Sequence, residues 1–304
     1  MRGTLQSESL PPRPADIPQG LLGKLRTTLE MIKFEHSIFA LPFALVGAML
    51  AVRGWPTWRE VFWLVVAMVG ARSAAMTFNR IADRKFDALN PRTRMRALPA
   101  GHLTVRFAAS FTVFSCGLLA LAAWELSSLA FKLSPVAIAV LLFYSYTKRF
   151  TLLSHLVLGI ADGLAPIAAW IALRNNLSLS VLLLGAAVAF WVGGFDLIYA
   201  CQDIEFDRRV GIHSIPQRFG VAAALYGSVA CHLAMVALLV AVIRLENLGW
   251  LAAAGLTLMA ALLAYEHWIV LPSDLSRLNA AFFNVNGYIS LLFFLTWGAD
   301  LLIH

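Results

Sequence analysis

Apolar residues fill long runs along this chain, and polar or charged residues are confined to the segments between them. The runs cover 36–53, 60–79, 106–124, 128–146, 153–173, 180–200, 221–243, 248–270 and 281–302. Each comes close to the roughly 20 residues an α-helix needs to cross a hydrocarbon core about 30 Å thick. The breaks carry Gly, Pro, Asn or charge, the residues that stop helices. The narrowest break separates the third and fourth runs, where only Glu125 to Ser128 and Lys132 interrupt the apolar pattern. The pattern predicts an all-α fold, a polytopic membrane bundle of about nine transmembrane helices.

Composition agrees. Of 304 residues, 60% are hydrophobic and 13% charged, about half the charged share of a soluble domain. One membrane domain over 34–304 accounts for the chain, preceded by a polar tail over 1–33 that holds Pro11, Pro12, Pro14 and Pro18. Residues 21–33 are expected to form a helix lying at the membrane interface. No apolar core with a small-residue cleavage site precedes the first run, so no removable signal peptide is expected.

A net charge of +7 is a feature of nucleic-acid binders, but here the bases sit in short connections between apolar runs. That is the positive-inside distribution, and nucleic acid is excluded as a partner. With the N-terminus in the cytoplasm, eighteen of the 24 Lys and Arg residues fall on that side, five on the other, and Arg72 inside a span. The bias predicts a cytoplasmic N-terminus in a multi-pass protein of a plasma (inner) membrane. Cys116, Cys201 and Cys231 stand singly, with no metal or disulfide spacing, and read as small buried hydrophobes.

Two connections are longer than the rest and mix acid with base: 80–105 after the second run and 201–220 after the sixth. Both fall on the cytoplasmic side, four spans apart, as in a repeated unit. The first opens with Asn79-Arg-Ile-Ala-Asp83-Arg-Lys-Phe-Asp87. Spacing of four puts Asn79, Asp83 and Asp87 on one face of a helix continuing out of the span. Two carboxylates and an amide oxygen suit Mg²⁺, which is typically held by one or two carboxylates together with substrate phosphates. The second reads Asp196-Leu-Ile-Tyr199-Ala-Cys-Gln-Asp203-Ile-Glu205-Phe-Asp207. Asp196, Asp203 and Asp207 are expected along one helical stripe with Tyr199, and Glu205 off it. A carboxylate as deep as Asp196 is costly unless it faces a polar cavity.

Basic residues surround both clusters: Arg72 seven positions before Asn79, Lys148 and Arg149 at the end of the fourth run, and Arg92, Arg94 and Arg96 after the first motif. Acids holding Mg²⁺ and cations touching free phosphate oxygens together clamp a diphosphate. Topology alone explains many of the loop bases, and interfacial belts explain many tyrosines. Solvated pairs such as Asp87 with Arg84 or Asp207 with Arg208 would contribute only about 0–1 kcal/mol and would leave the matching spacings unexplained. The histidines at 36, 102, 155, 232, 267 and 304 show no ligand spacing and read as structural or interfacial.

Taken in order, Asn79-x-x-x-Asp83-x-x-x-Asp87, Arg96-Ala-Leu-Pro-Ala-Gly101, Tyr144-x-x-x-Lys148-Arg149 and Tyr199-x-x-x-Asp203-x-x-x-Asp207 resemble the UbiA superfamily of intramembrane prenyltransferases. The resemblance runs from about residue 30 onward. It implies a bundle around a central cavity capped by the two acidic connections, with Mg²⁺ binding a polyprenyl diphosphate. By that likeness Asn79, Asp83, Asp87, Asp203 and Asp207 hold the metal, and Arg72, Lys148 and Arg149 hold the diphosphate. Tyr144, Asp196 and Tyr199 line the cavity near a small aromatic acceptor, with Asp196 and Tyr199 as the catalytic candidates.

Many ubiquinone-branch members carry Asp where this chain has Arg80, and often Lys where it has His213. The stretches Asn90-Pro-Arg-Thr93 and Ser145-Tyr-Thr-Lys-Arg149 look closer to a 4-hydroxybenzoate polyprenyltransferase-like subgroup. The implied reaction moves a polyprenyl group to 4-hydroxybenzoate or a related hydroxyaryl acid in quinone synthesis, with a carboxylated naphthol of menaquinone synthesis as the alternative acceptor. From another class, a transporter would use Asp196 and Arg72 as an ion path, but the acids cluster at one face. No protein partner is expected.

Overall fold

The computed structural model describes residues 20–31, 40–278 and 281–303. It is helical throughout, and the one extended pairing among these residues is an isolated bridge between Leu271 and Asp274. The predicted starts of the first span (36–39) and most of the N-terminal tail lie outside the described residues, as do His36 and His304.

In chain order the helices are α1 (Gly20–Met31), α2 (Leu41–Val52), α3 (Trp58–Leu89), α4 (Val105–Leu126), α5 (Ser128–Thr147) and α6 (Ser154–Arg174). They continue with α7 (Leu179–Ala200), α8 (Ile204–Val210), α9 (Ile215–Phe219), α10 (Val221–Glu246), α11 (Trp250–Ile269) and α12 (Asn286–Ile303). A 3₁₀ turn (Cys201–Asp203) joins α7 to α8, and a π-helical turn (Ala281–Val285) leads into α12. Eight of the described helices are long and apolar enough to cross a membrane, and the shorter α2 is the ninth apolar one. The narrow third break is real: Ser127 is at once the C-cap of α4 and the N-cap of α5, its hydroxyl accepting from the Ala130 amide.

The helix ends follow local chemistry. Thr57 and Glu60 form a reciprocal capping box that starts α3, and Thr104 and Ser178 cap α4 and α7. On the end of the bundle away from the acidic connections, the Arg53 guanidinium donates to the Glu246 carboxylate at 2.5 Å and to its carbonyl at 2.8 Å, tying α2 to α10. The wholly buried Asp300 of α12 accepts from the amides of Gly249 and Ala252 and so caps α11 from a neighbouring helix. That partnership explains a carboxylate in a place where an unpaired one would be costly.

Among the helices long enough to span, α7 is the most deeply enclosed, with α6 on one side and α10 on the other. The α6–α7 seam is built on small residues. Gly159 and Gly163, four apart on α6, face Ala189 and Gly185, four apart on α7. Lipid gives no hydrophobic drive between helices, so close backbone approach at small residues is what holds such a pair. A methyl at Gly159 would run into the Ala189 carbonyl, which cannot swing aside as a side chain can. Gly159→Ala is therefore expected to cost about 1–3 kcal/mol of stability, read as a lower melting temperature in detergent. An unchanged melting curve would contradict this reading of the seam. Around the outside, large side chains such as Trp58, Tyr226, Trp250 and Trp268 are exposed, as lipid-facing and interfacial positions require.

Candidate active site

α3 runs three turns past its apolar part as one helix, and it ends at Asn90 because the residue before a proline, here Pro91, is driven out of helical geometry. This extension holds Asn79, Asp83 and Asp87 on one face, as the spacing predicts. On α7 the prediction of a single stripe needs correction. The helix stops at Ala200, and the 3₁₀ turn and α8 carry Asp203 and Asp207 onward. The break does not scatter the acids. Asp196, Tyr199, Asp203 and Asp207 all line the same cavity as Asn79, Asp83 and Asp87, a space of about 360 Å³. Glu205 is exposed and outside it, as expected.

The two acidic segments touch directly. Asn90 Nδ2 donates to Asp203 Oδ1 at 3.2 Å, and Arg92 reaches the same carboxylate through Nη2 at 2.5 Å and Nε at 3.3 Å. Arg92 also donates to the Tyr199 hydroxyl at 3.1 Å. Desolvation works against the Arg92 charge, yet its hydrogen bonds and charge pairing with Asp203 hold its pKa above the ordinary arginine value. Asn90 can reach because its own Oδ1 accepts from the Arg92 amide in a tight turn. The second connection is fixed in return: the His213 amide donates to the Lys148 carbonyl at 2.8 Å, and Ser214, which caps α9, donates to Asp207 Oδ2 at 3.1 Å.

Asp83 and Asp87 each have a cation. Lys148 Nζ lies 2.6 Å from Asp83 Oδ2, and Arg96 lies 2.8 Å from Asp87 Oδ1. The pairing of Asp87 is thus with Arg96, not Arg84. The second oxygens of both carboxylates, Asp83 Oδ1 and Asp87 Oδ2, are buried without a hydrogen-bond partner. Oxygen-only donors with two orphaned carboxylate oxygens fit a hard cation such as Mg²⁺. Among the described residues no ready-made cage of three or more acids or histidines exists, so the fit is to an ion that takes part of its shell from phosphate oxygens and water.

Deeper in the same cavity sit Arg72, Tyr144 and Asp196, where the sequence puts them. Arg149 does not join them. It follows the Lys148 C-cap, so its side chain leaves in another direction: it donates to the Ala82 carbonyl at 2.6 Å and lies over the rings of Tyr146 and Phe86. A difference between neighbours follows. Lys148→Ala strands the buried Asp83 carboxylate and is expected to slow turnover about 10²-fold. Arg149→Ala is expected to change it less than about threefold, as for a surface substitution. Steady-state rates of the two variants check this, and equal losses would contradict it.

Two cavity residues escaped the sequence reading. Asp162, on α6, lies in the wall shared with a second, apolar cavity of about 190 Å³ between α3, α4, α5 and α6. His155, read as structural or interfacial, is buried in the cavity wall with Nδ1 2.7 Å from Asp196 Oδ2. The available signal was its distance of seven from Asp162, two helical turns along one face. His232 and His267, by contrast, pair with each other at 2.9 Å away from this cavity, in keeping with a structural role.

Comparison with known proteins points one way. The chain is 31% identical to a 4-hydroxybenzoate octaprenyltransferase of Klebsiella pneumoniae, over 82% of this chain and 90% of that protein. It is 32% identical to a protein of the same name from Nitrosospira multiformis, over 79% and 82%. Among solved structures, the apo UbiA homologue of Aeropyrum pernix superposes with a TM-score of 0.79 at 36% identity, covering 88% of this chain and 98% of that one. The UbiA homologue of Archaeoglobus fulgidus, solved with DMAPP and Mg²⁺, shares the fold with a TM-score of 0.71 at 20% identity, over 91% and 99%. The sequence model of the UbiA prenyltransferase family matches residues 40–294, and the chain belongs to that family.

Proposed function

We propose that this protein transfers a polyprenyl group from polyprenyl diphosphate to an aromatic acceptor, 4-hydroxybenzoate or a related hydroxyaryl acid, in ubiquinone or menaquinone synthesis. The observation that carries the reading is the clasp of Asn90 and Arg92 on Asp203, which closes two distant acidic segments over one cavity mouth. Asn79, Asp83, Asp87, Asp203 and Asp207 are the residues that would hold Mg²⁺. Bound there, Mg²⁺ would neutralise diphosphate oxygens and make the diphosphate a better leaving group.

Lys148 and Arg72 hold the phosphate oxygens through charge-assisted hydrogen bonds. Incoming phosphates compete for Lys148, Arg92 and Arg96, which in the free protein hold the acids. Below the clamp the wall turns apolar with Val188, Trp191 and Phe195. Water is kept from the allylic carbon as the bond to diphosphate breaks, which both strengthens the fixed charges and prevents hydrolysis. The apolar second cavity, joined to the first at Arg72, Met76 and Tyr144, is shaped to take the hydrocarbon tail. Tyr144, Asp196 and Tyr199 face the acceptor.

The relatives named as octaprenyltransferases support the acceptor class, and the DMAPP- and Mg²⁺-bound relative supports the donor. The positive-inside bias supports a cytoplasmic mouth in a bacterial inner membrane. Incubating purified protein with a polyprenyl diphosphate, Mg²⁺ and a panel of hydroxybenzoates and carboxylated naphthols, then weighing the products by mass spectrometry, tests the proposal. A prenylated hydroxyaryl acid is expected. Donor turnover with none of these acceptors modified would overturn it.

A further inference from the structure

His155 and Asp196 come from different helices, and the glycine seam of α6 and α7 is what brings them together. Gly159 and Gly163 let α6 lie against α7 at backbone contact, and His155 stands one turn before Gly159. Its Nδ1 is 2.7 Å from Asp196 Oδ2. Its other ring nitrogen, Nε2, is buried with no hydrogen-bond partner, although the residue forms part of the cavity wall. A buried imidazole with one unused nitrogen is costly as a purely structural element.

We infer that His155 is the general base that activates the acceptor's hydroxyl, and that Asp196 is the positioning residue that orients it. The inference rests on the transfer reaction proposed above. The Asp196 carboxylate accepts from Nδ1–H, which fixes the tautomer with its lone pair on Nε2. This is the arrangement by which a third group prepares a base. The phenolic O–H bond breaks, its proton going to Nε2 and its electron pair staying on oxygen. The ring carbon ortho to the one that bears this oxygen, which carries a hydrogen, then bonds to the first prenyl carbon as the bond from that prenyl carbon to the diphosphate breaks. The imidazolium returns its proton to the ring oxygen, and the proton on the substituted carbon leaves to the departing diphosphate. Prenylated phenol, diphosphate and one proton result, and the imidazole ends neutral.

The test compares acceptors of different acidity in the full-length protein. Removing a general base costs on the order of 10²–10⁴-fold, so His155→Gln is expected to slow transfer to 4-hydroxybenzoate at least about 100-fold. The ratio of wild-type to variant rate is expected to shrink at least about tenfold with 2,6-difluoro-4-hydroxybenzoate, whose more acidic hydroxyl depends less on a base. Affinity for the prenyl diphosphate and Mg²⁺ is expected to stay within about twofold. A structural role would lower both acceptors' rates alike, so an acidity-independent ratio overturns the inference. So does a rate for His155→Gln near that of wild type. If His155→Gln proves unstable in a melting assay, Asp196→Asn takes its place, since it keeps the shape and removes the group that fixes the tautomer. The same dependence on acidity is expected. Wild-type protein that prenylates no hydroxyaryl acid overturns the proposed function itself, and that failure is seen before any variant is made.

Discussion

Replacing either Asp83 or Asp203 with alanine is expected to lower prenyl transfer at least about 10²–10³-fold, the scale of losing one preorganised charge partner in a site closed to water. The two residues fail for related reasons. Asp83 is almost fully buried, holds Lys148 at 2.6 Å and keeps one oxygen free for a cation. Its loss removes a metal-binding oxygen and leaves Lys148 without the anchor that aims it at the phosphates. Asp203 is the one carboxylate gripped from the other acidic segment. Its loss opens the contact between the segments as well as deleting a ligand. Both variants are expected to insert and fold, because neither acid lies in the packed seams of the spanning helices, although each loses a tie between elements at the cavity mouth. Membrane-fraction yield and melting temperature provide that control, and near-normal turnover of either folded variant would contradict the assignment.

Removing divalent metal is expected to have an effect as large. Chelation with EDTA should bring transfer to background, and adding Mg²⁺ back should restore it. The free protein holds its acids as ion pairs with Lys148, Arg92 and Arg96. Cations on protein side chains are therefore already present in the untreated site, and they are not expected to substitute for the metal. Three anionic carboxylates beside a polyanionic diphosphate would otherwise repel it. Asp87→Asn should raise the Mg²⁺ concentration needed for half-maximal rate at least about tenfold, the order seen when partners around a metal ligand are lost. Full activity after exhaustive chelation would rule out the metal's role.

Much of the fold could be read from the chain. Apolar runs near 20 residues long leave little choice in a bilayer, because every backbone amide must find its partner within the helix. The break at Ser127 was the hardest to read, because only Glu125 to Ser128 and Lys132 interrupt the apolar pattern there, and the cap that Ser127 supplies shows only in the structure. The first acidic cluster was legible in full, because a spacing of four on a continuous helix fixes the face. The second was legible only in its outcome. Nothing in Tyr199 to Asp207 announces the 3₁₀ turn, and the acids still line the cavity on either side of it.

Arg149 shows where local pattern fails. It looks equivalent to Lys148 in sequence, yet Lys148 reaches the Asp83 carboxylate while Arg149 reaches the Ala82 carbonyl, and only packing tells which of them lines the cavity. His155 shows the converse. No spacing in the sequence links it to Asp196, forty-one residues away.

By itself, then, the sequence determined the membrane bundle, the identity of the acids and the likeness to a family, since hydrophobic length and helical period act within a single segment. Only the tertiary structure decided which cations hold which acids, that Asn90 and Arg92 close on Asp203, and that an imidazole meets Asp196. Those partnerships depend on the distance between helices, which is set by small residues facing one another across a seam, and such complementarity exists only once both helices are in place.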